Sequence, residues 1–188
     1  MALLGDDDYR ARTGDYTSDT AQVTAALALA QADVEEWLRR PLEAKVRTET
    51  LRLTQSGMLY PAATPLRTVP AGYAARGAGL LATAGAWTGP FLTGTNPGIT
   101  ITYTGGWDPP GGALPLPAGL AQGICEAAWD RLHPESVPPA GLAQATVGDV
   151  AVQFAFPTNG TRLSAKVLQA IRGYRRRDIA PQPLGAIW

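Results

Sequence analysis

The chain has 188 residues, 45% of them hydrophobic and 17% charged, with a formal net charge of zero. That length suits one domain with a real core, and the composition excludes a disordered chain. Neutral charge argues against a dedicated DNA binder, and the lone Cys125 excludes an intrachain disulfide or an all-cysteine metal site.

The first residues, Met1 to Thr17, read as an extended N-terminal arm. Asp6, Asp7 and Asp8 make it a solvated acidic one, with the wrong charge for a signal peptide. A helix is predicted over about 19–39. Ser18 or Asp19 can cap it, Gln22 completes a weak capping box, and Val23, Leu27, Ala30, Val34 and Trp37/Leu38 form its apolar stripe. Arg39 and Arg40 suit its last turn and Pro41 stops it.

The period then changes to that of strands, predicted over about 45–53 and 58–60 around the turn Gln55-Ser56-Gly57. Leu66 to Val69 reads as a short extended piece, and Leu80 to Thr83 and Trp87 to Leu92 as weaker strand candidates. Ile99, Ile101 and Tyr103 alternate with threonines, giving a strand over about 98–104 that ends at Gly105-Gly106.

A second helix, over about 117–133, starts at Pro117, carries Leu120, Ile124, Ala128 and Leu132 on one face, and stops before Pro134. Glu135 to Ala145 reads as a loop. Alternating Val150, Val152, Phe154 and Phe156 predict a strand over about 149–156, and Leu163, Val167, Ala170, Ile171 and Tyr174 a third helix over about 161–175. The class is therefore α+β: a helical core of about three helices, a small mainly antiparallel sheet, and extended arms at 1–17 and 178–188 flanking a domain over 18–177.

Catalytic patterns are sparse. Cys125 and His133 share a predicted helix, but eight residues separate them by about 12 Å along its axis, against the roughly 3 Å a nucleophile and base require. Adjacent acids such as Asp6 to Asp8 do not converge on one metal ion. Gly77-Ala-Gly79-Leu-Leu-Ala82 matches the dinucleotide fingerprint by letter, yet Gly85, Gly89 and Pro90 break the helix that must follow. Asn159-Gly160-Thr161 spells a glycosylation sequon but reads more simply as a helix start. No run approaches the roughly 20 apolar residues of a membrane span. Neither catalytic residues, a metal nor a cofactor is expected.

The C-terminal stretch is different. Arg175, Arg176 and Arg177 precede a segment with two prolines that still carries Ile179, Leu184, Ile187 and Trp188. Tryptophan offers large contact area with few rotors to freeze, and proline lowers the entropy lost on docking. These seven residues are the candidate contact to a neighbouring subunit or another protein; folding back onto the parent domain is the alternative.

Several motifs in order carry a resemblance: Asp8-Tyr9-Arg10…Gly14-Asp15, Leu38-Arg-Arg-Pro41, Leu59-Tyr60-Pro61…Pro65-Leu66, Ile99-Thr-Ile-Thr-Tyr103-Thr-Gly-Gly-Trp107, Leu116-Pro117…Leu120 and Val147-Gly148-Asp149-Val150. Over about Asp8 to Arg177 the chain resembles the head–tail connector (head-completion adaptor) proteins of long-tailed double-stranded DNA bacteriophages, particularly those of actinobacteria. The resemblance implies a non-enzymatic virion protein of the neck, assembled in the host cytoplasm. It also implies a homo-oligomeric ring, a dodecamer, with the portal protein above and a stopper or tail protein below. Genomic DNA would pass through its lumen without specific binding. Asp178 to Trp188 lies outside the matched part. A stopper or tail-completion protein is the nearest alternative, then a nucleic-acid binding module using the arginine run, then an enzyme with acids gathered around His133.

Overall fold

A helix, α1 (Asp6–Thr13), stands where the sequence suggests a solvated arm. The structure, a computed structural model, describes residues 2–54, 57–83, 98–134, 144–147, 150–153 and 163–175. Asp6, Asp7 and Asp8 occupy the first turn of α1, where carboxylates complement the helix dipole. Asp8 accepts a hydrogen bond from the Gly5 amide at 3.1 Å, and Gly14 ends the helix in the left-handed region at φ 74°. Leu3, Leu4 and Tyr9 are buried in the main core. Residues 2–17 are thus part of the domain and not an extension from it.

Helix α2 (Thr20–Leu38) follows, capped by Asp19, whose side chain accepts from the amides of Ala21 and Gln22. Its buried face is Val23, Ala26, Leu27, Ala30, Gln31, Val34 and Leu38. Arg39, in the left-handed region at φ 55°, lies just past its end. The β-layer comprises β1 (Lys45–Leu51), β2 (Met58–Leu59), β3 (Tyr73–Arg76), β4 (Gly79–Ala82) and β5 (Ile99–Gly105). β1 and β5 form an antiparallel ribbon in the register Thr48 to Thr102, and β2, β4 and β3 form a three-stranded antiparallel sheet in that order.

Helix α3 (Ala118–Leu132) is the central helix, packed against α1, α2 and α4 (Ala165–Ile171). Pro117 serves as its N-cap. β6 (Gln144–Val147) and β7 (Val150–Gln153) form a hairpin, and a single 3-10 turn over Arg172–Tyr174 extends α4.

Two apolar clusters hold the fold. The larger joins the helices with Leu3, Leu4, Leu42, Trp107 and Leu116, and the smaller, Leu53, Leu59, Ala63, Leu80, Ile101 and Tyr103, lies under the sheets. The Tyr103-Thr-Gly-Gly-Trp107 turn links them. Gly106 has φ 112°, and a Cβ there would lie 2.6 Å from the backbone of Leu42 and Glu43. The Trp107 amide donates to the Leu42 carbonyl at 2.7 Å, so glycine is needed for this close approach.

Some boundaries differ from the sequence expectation. The β6 strand takes Gln144 and Ala145 out of the expected loop, because they pair antiparallel with Gln153 and Val152. The third helix is shorter than 161–175, since the Ser164 hydroxyl caps it on the Val167 amide. Trp87 to Leu92, Phe154, Phe156 and the arm 178–188 lie outside the described residues.

Candidate functional site

The densest polar cluster surrounds Asp15, on the loop between α1 and α2. Its carboxylate accepts from the Tyr9 hydroxyl at 2.8 Å, the Ser18 hydroxyl at 2.5 Å and the Thr17 and Ser18 amides at 2.9 and 3.1 Å. His133, at the end of α3, brings Nε2 to 3.0 Å from the same carboxylate oxygen as Tyr9 and Ser18. The Ser18 hydroxyl first, then His133, the Thr17 amide and the Tyr9 hydroxyl, hold the Asp15 carboxyl far below the usual carboxylate range against the opposing effect of burial. Burial, then the Asp15 carboxylate, pushes the Tyr9 phenol far above its ordinary value.

One acid therefore does meet His133. The order is not that of a nucleophile relay. In a relay the imidazole sits between hydroxyl and carboxylate, whereas here the carboxylate sits in the middle and gathers hydroxyl, amide and imidazole. The geometry fits a latch tying the α1–α2 loop to the end of α3. No spacing rule pairs Asp15 with His133, 118 positions apart, so sequence reasoning had no signal for it.

The patterns set aside on sequence grounds are not brought together in space either. Cys125 is fully buried in the helical core, and burial pushes its thiol up to about 12. Asp6 is engaged by Arg10 at 2.8 Å and Thr20 at 3.1 Å, so it is not a freely solvated acid. Gly77 lies in the β3–β4 turn and no helix follows it. Among the described residues, no three His, Cys, Asp or Glu side chains are grouped to hold a metal, and no helix is long and apolar enough to cross a membrane.

Of the seven candidate contact residues, Arg175 alone is described. Its guanidinium lies 4.9 Å from the centre of the Trp37 ring, a cation–π contact with the last turn of α2. Arg176, Arg177, Ile179, Leu184, Ile187 and Trp188 are outside the described residues.

Two surfaces stand out. The first is the outward face of α2. Residues 20–32 carry no charge, and Ala21, Ala25, Ala28, Leu29 and Ala32 are all exposed. A helix facing solvent usually puts charged residues there. Beside this face Ala28, Gln31 and Ala32 form one wall of an open groove of about 220 Å³, closed by Ala2, Glu35, Glu43, Lys45 and Arg47. The Arg47 Nε is buried with no acceptor among the described residues.

The second surface is the outer side of the β1–β5 ribbon. Val46, Thr48, Thr50, Thr100 and Thr102 present an uncharged face, on which Thr48 bonds Thr102 and Thr50 bonds Thr100, both at 2.9 Å. The Thr104 amide and carbonyl both turn away from β1, toward Thr68 and Arg67. In an antiparallel pair the opposite residue then also turns outward. Val46, Thr48 and Thr50 accordingly present their backbone groups along an edge that pairs with no described strand.

No protein-family model matches the chain, and no curated protein matches it in sequence. Chains of several solved structures are similar to it. A chain of the "Neck of empty GTA particle computed with C6 symmetry" aligns with a TM-score of 0.55 at 19% identity, covering 94% of this chain and 91% of that one. A chain of the "Virion of native gene transfer agent (GTA) particle" aligns with a TM-score of 0.54 at 17% identity, covering 92% and 89%. At such identities the likeness is one of fold, and it extends over nearly the full length of each chain.

Proposed function

We propose that this chain is a structural subunit of the neck of a tailed-phage-like particle, a head–tail adaptor of the kind found in phages of actinobacteria. Twelve copies form a ring below the portal protein, continue the DNA channel and present their lower face to a stopper or tail protein. Genomic DNA slides through without specific binding, and the chain carries out no reaction. The observation that carries this reading is the near-complete, two-way coverage of the fold by chains of the gene transfer agent neck and virion.

Two further features support it. The outward face of α2 is apolar over a length that a solitary domain would cover with charge. The sharply polar Asp15 cluster braces the fold rather than opening to a cleft. The segment from Arg175 through Arg176, Arg177, Ile179, Leu184, Ile187 and Trp188 joins a neighbouring subunit or the portal. The test is removal of the chain from its particle. DNA-filled heads and complete tails should then accumulate unjoined, and restored chain lacking Pro181 to Trp188 should fold normally but join heads to tails poorly. Normal particles without the chain would refute the proposal.

A further inference from the structure

Among the described residues nothing covers the outward apolar face of α2, and the chain contains a segment suited to cover it. We propose that residues 176–188 of one copy lie in the groove beside α2 of the adjacent copy, so that each subunit is strapped to the next. This rests on the ring reading above and adds the donor segment and its acceptor.

Direction is set by where the described chain leaves the fold. Arg175 is held over Trp37, so the segment that follows begins at the C-terminal end of α2. Trp37 is nine residues from Ala28 and five from Ala32, which at 3.6 residues per turn places it about 180° and 140° around the helix from them. The exit point and the groove are thus on opposite sides of α2. A donor on one side and an acceptor on the other suits a head-to-tail contact, the kind that closes into a ring.

Length and chemistry agree with this. The thirteen residues 176–188 reach roughly 40 Å when extended, against about 28 Å for the nineteen residues of α2. The groove offers the methyls of Ala2, Ala28 and Ala32 to Ile179, Leu184, Ile187 and Trp188, while its other wall, from Glu35 through Glu43 and Lys45 to Arg47, is charged. An extended segment also supplies peptide carbonyls, the kind of acceptor that the Arg47 Nε lacks among the described residues. Prolines 181 and 183 restrict the conformations open to the segment, which lowers the entropy lost on docking.

The experiment uses full-length chains of two distinguishable masses, one carrying Ala28→Cys and the other Ile187→Cys, mixed and mildly oxidised. Cys125 is fully buried and does not compete. A covalent dimer containing one of each chain is expected, and the double variant should give a ladder of multimers, with thermal melts unchanged from the parent protein. A double variant that yields only bridged monomer would overturn the inference, placing the segment on its own domain. Rings intact by native mass with no bridge would overturn the strap and leave the ring reading standing. Monomer throughout, with no bridge, would overturn both.

Discussion

Replacing Asp15 by alanine tests the latch between the α1–α2 loop and α3. The Tyr9 hydroxyl belongs to a fully buried residue and would lose its acceptor, a cost of about 1–3 kcal/mol. His133 is one-quarter exposed at its side chain, so its lost contact adds less, on the order of 0.5–1 kcal/mol. The Ser18 hydroxyl and the loop amides sit near the surface and recover water. The sum is roughly 2–4 kcal/mol, a fall in melting temperature of about 5–15 °C for a chain of this size. Urea unfolding followed by tryptophan fluorescence and circular dichroism measures it. A double-mutant cycle sharpens the claim. Tyr9→Phe alone should cost about 1 kcal/mol. Made on top of Asp15→Ala it should cost nothing or stabilise, because it removes the orphaned hydroxyl. A cost for Asp15→Ala below about 0.5 kcal/mol, or strictly additive effects, would refute the latch.

The same carboxylate sets a pH dependence. Its value in the folded chain is depressed, so its contribution is complete above the ordinary aspartate value of about 3.9 and is lost as pH falls below it, where the unfolded chain binds the proton first. Urea midpoints from pH 7 down to 2.5 should drop below pH 4, and Asp15→Asn should show a shallower drop. Gly106→Ala places a methyl against the Leu42 and Glu43 backbone at a positive φ and should destabilise by about 2–4 kcal/mol, read from the same unfolding curves. Leu29→Asp, at a side chain 56% exposed, should leave stability within about 0.5 kcal/mol while abolishing self-association in sedimentation.

Much of the fold is legible wherever one period dominates locally. The stripe Val23 to Leu38 and the alternation of Ile99, Ile101 and Tyr103 each bury the faces their spacing indicates, and Asp19 and Pro117 mark helix starts. The α1 helix is not legible by this means. Its eight residues carry one buried side chain, Tyr9, so no apolar period exists to read, and its stability comes from carboxylates at one end, Gly14 at the other and packing of Leu3 and Leu4 outside it. The Tyr73–Arg76 strand is similarly silent: its residues are half-buried or exposed, and pairing with β4 holds it in place.

For the candidate site, sequence reasoning could name apolar residues beyond Arg175 but not the surface here proposed for them. The exposed alanine face of α2 was available as an absence of charge over residues 20–32, a signal that becomes meaningful once α3 is known to cover the other face. The Asp15–His133 contact depends on the packing of α1 against α3 and has no local counterpart.

Native mass spectrometry of the purified full-length chain, alone and mixed with its portal ring, most directly tests the role of neck adaptor. A closed assembly of twelve copies, free or on the portal, is the predicted species. A chain that stays monomeric in both conditions at micromolar concentration would contradict the account.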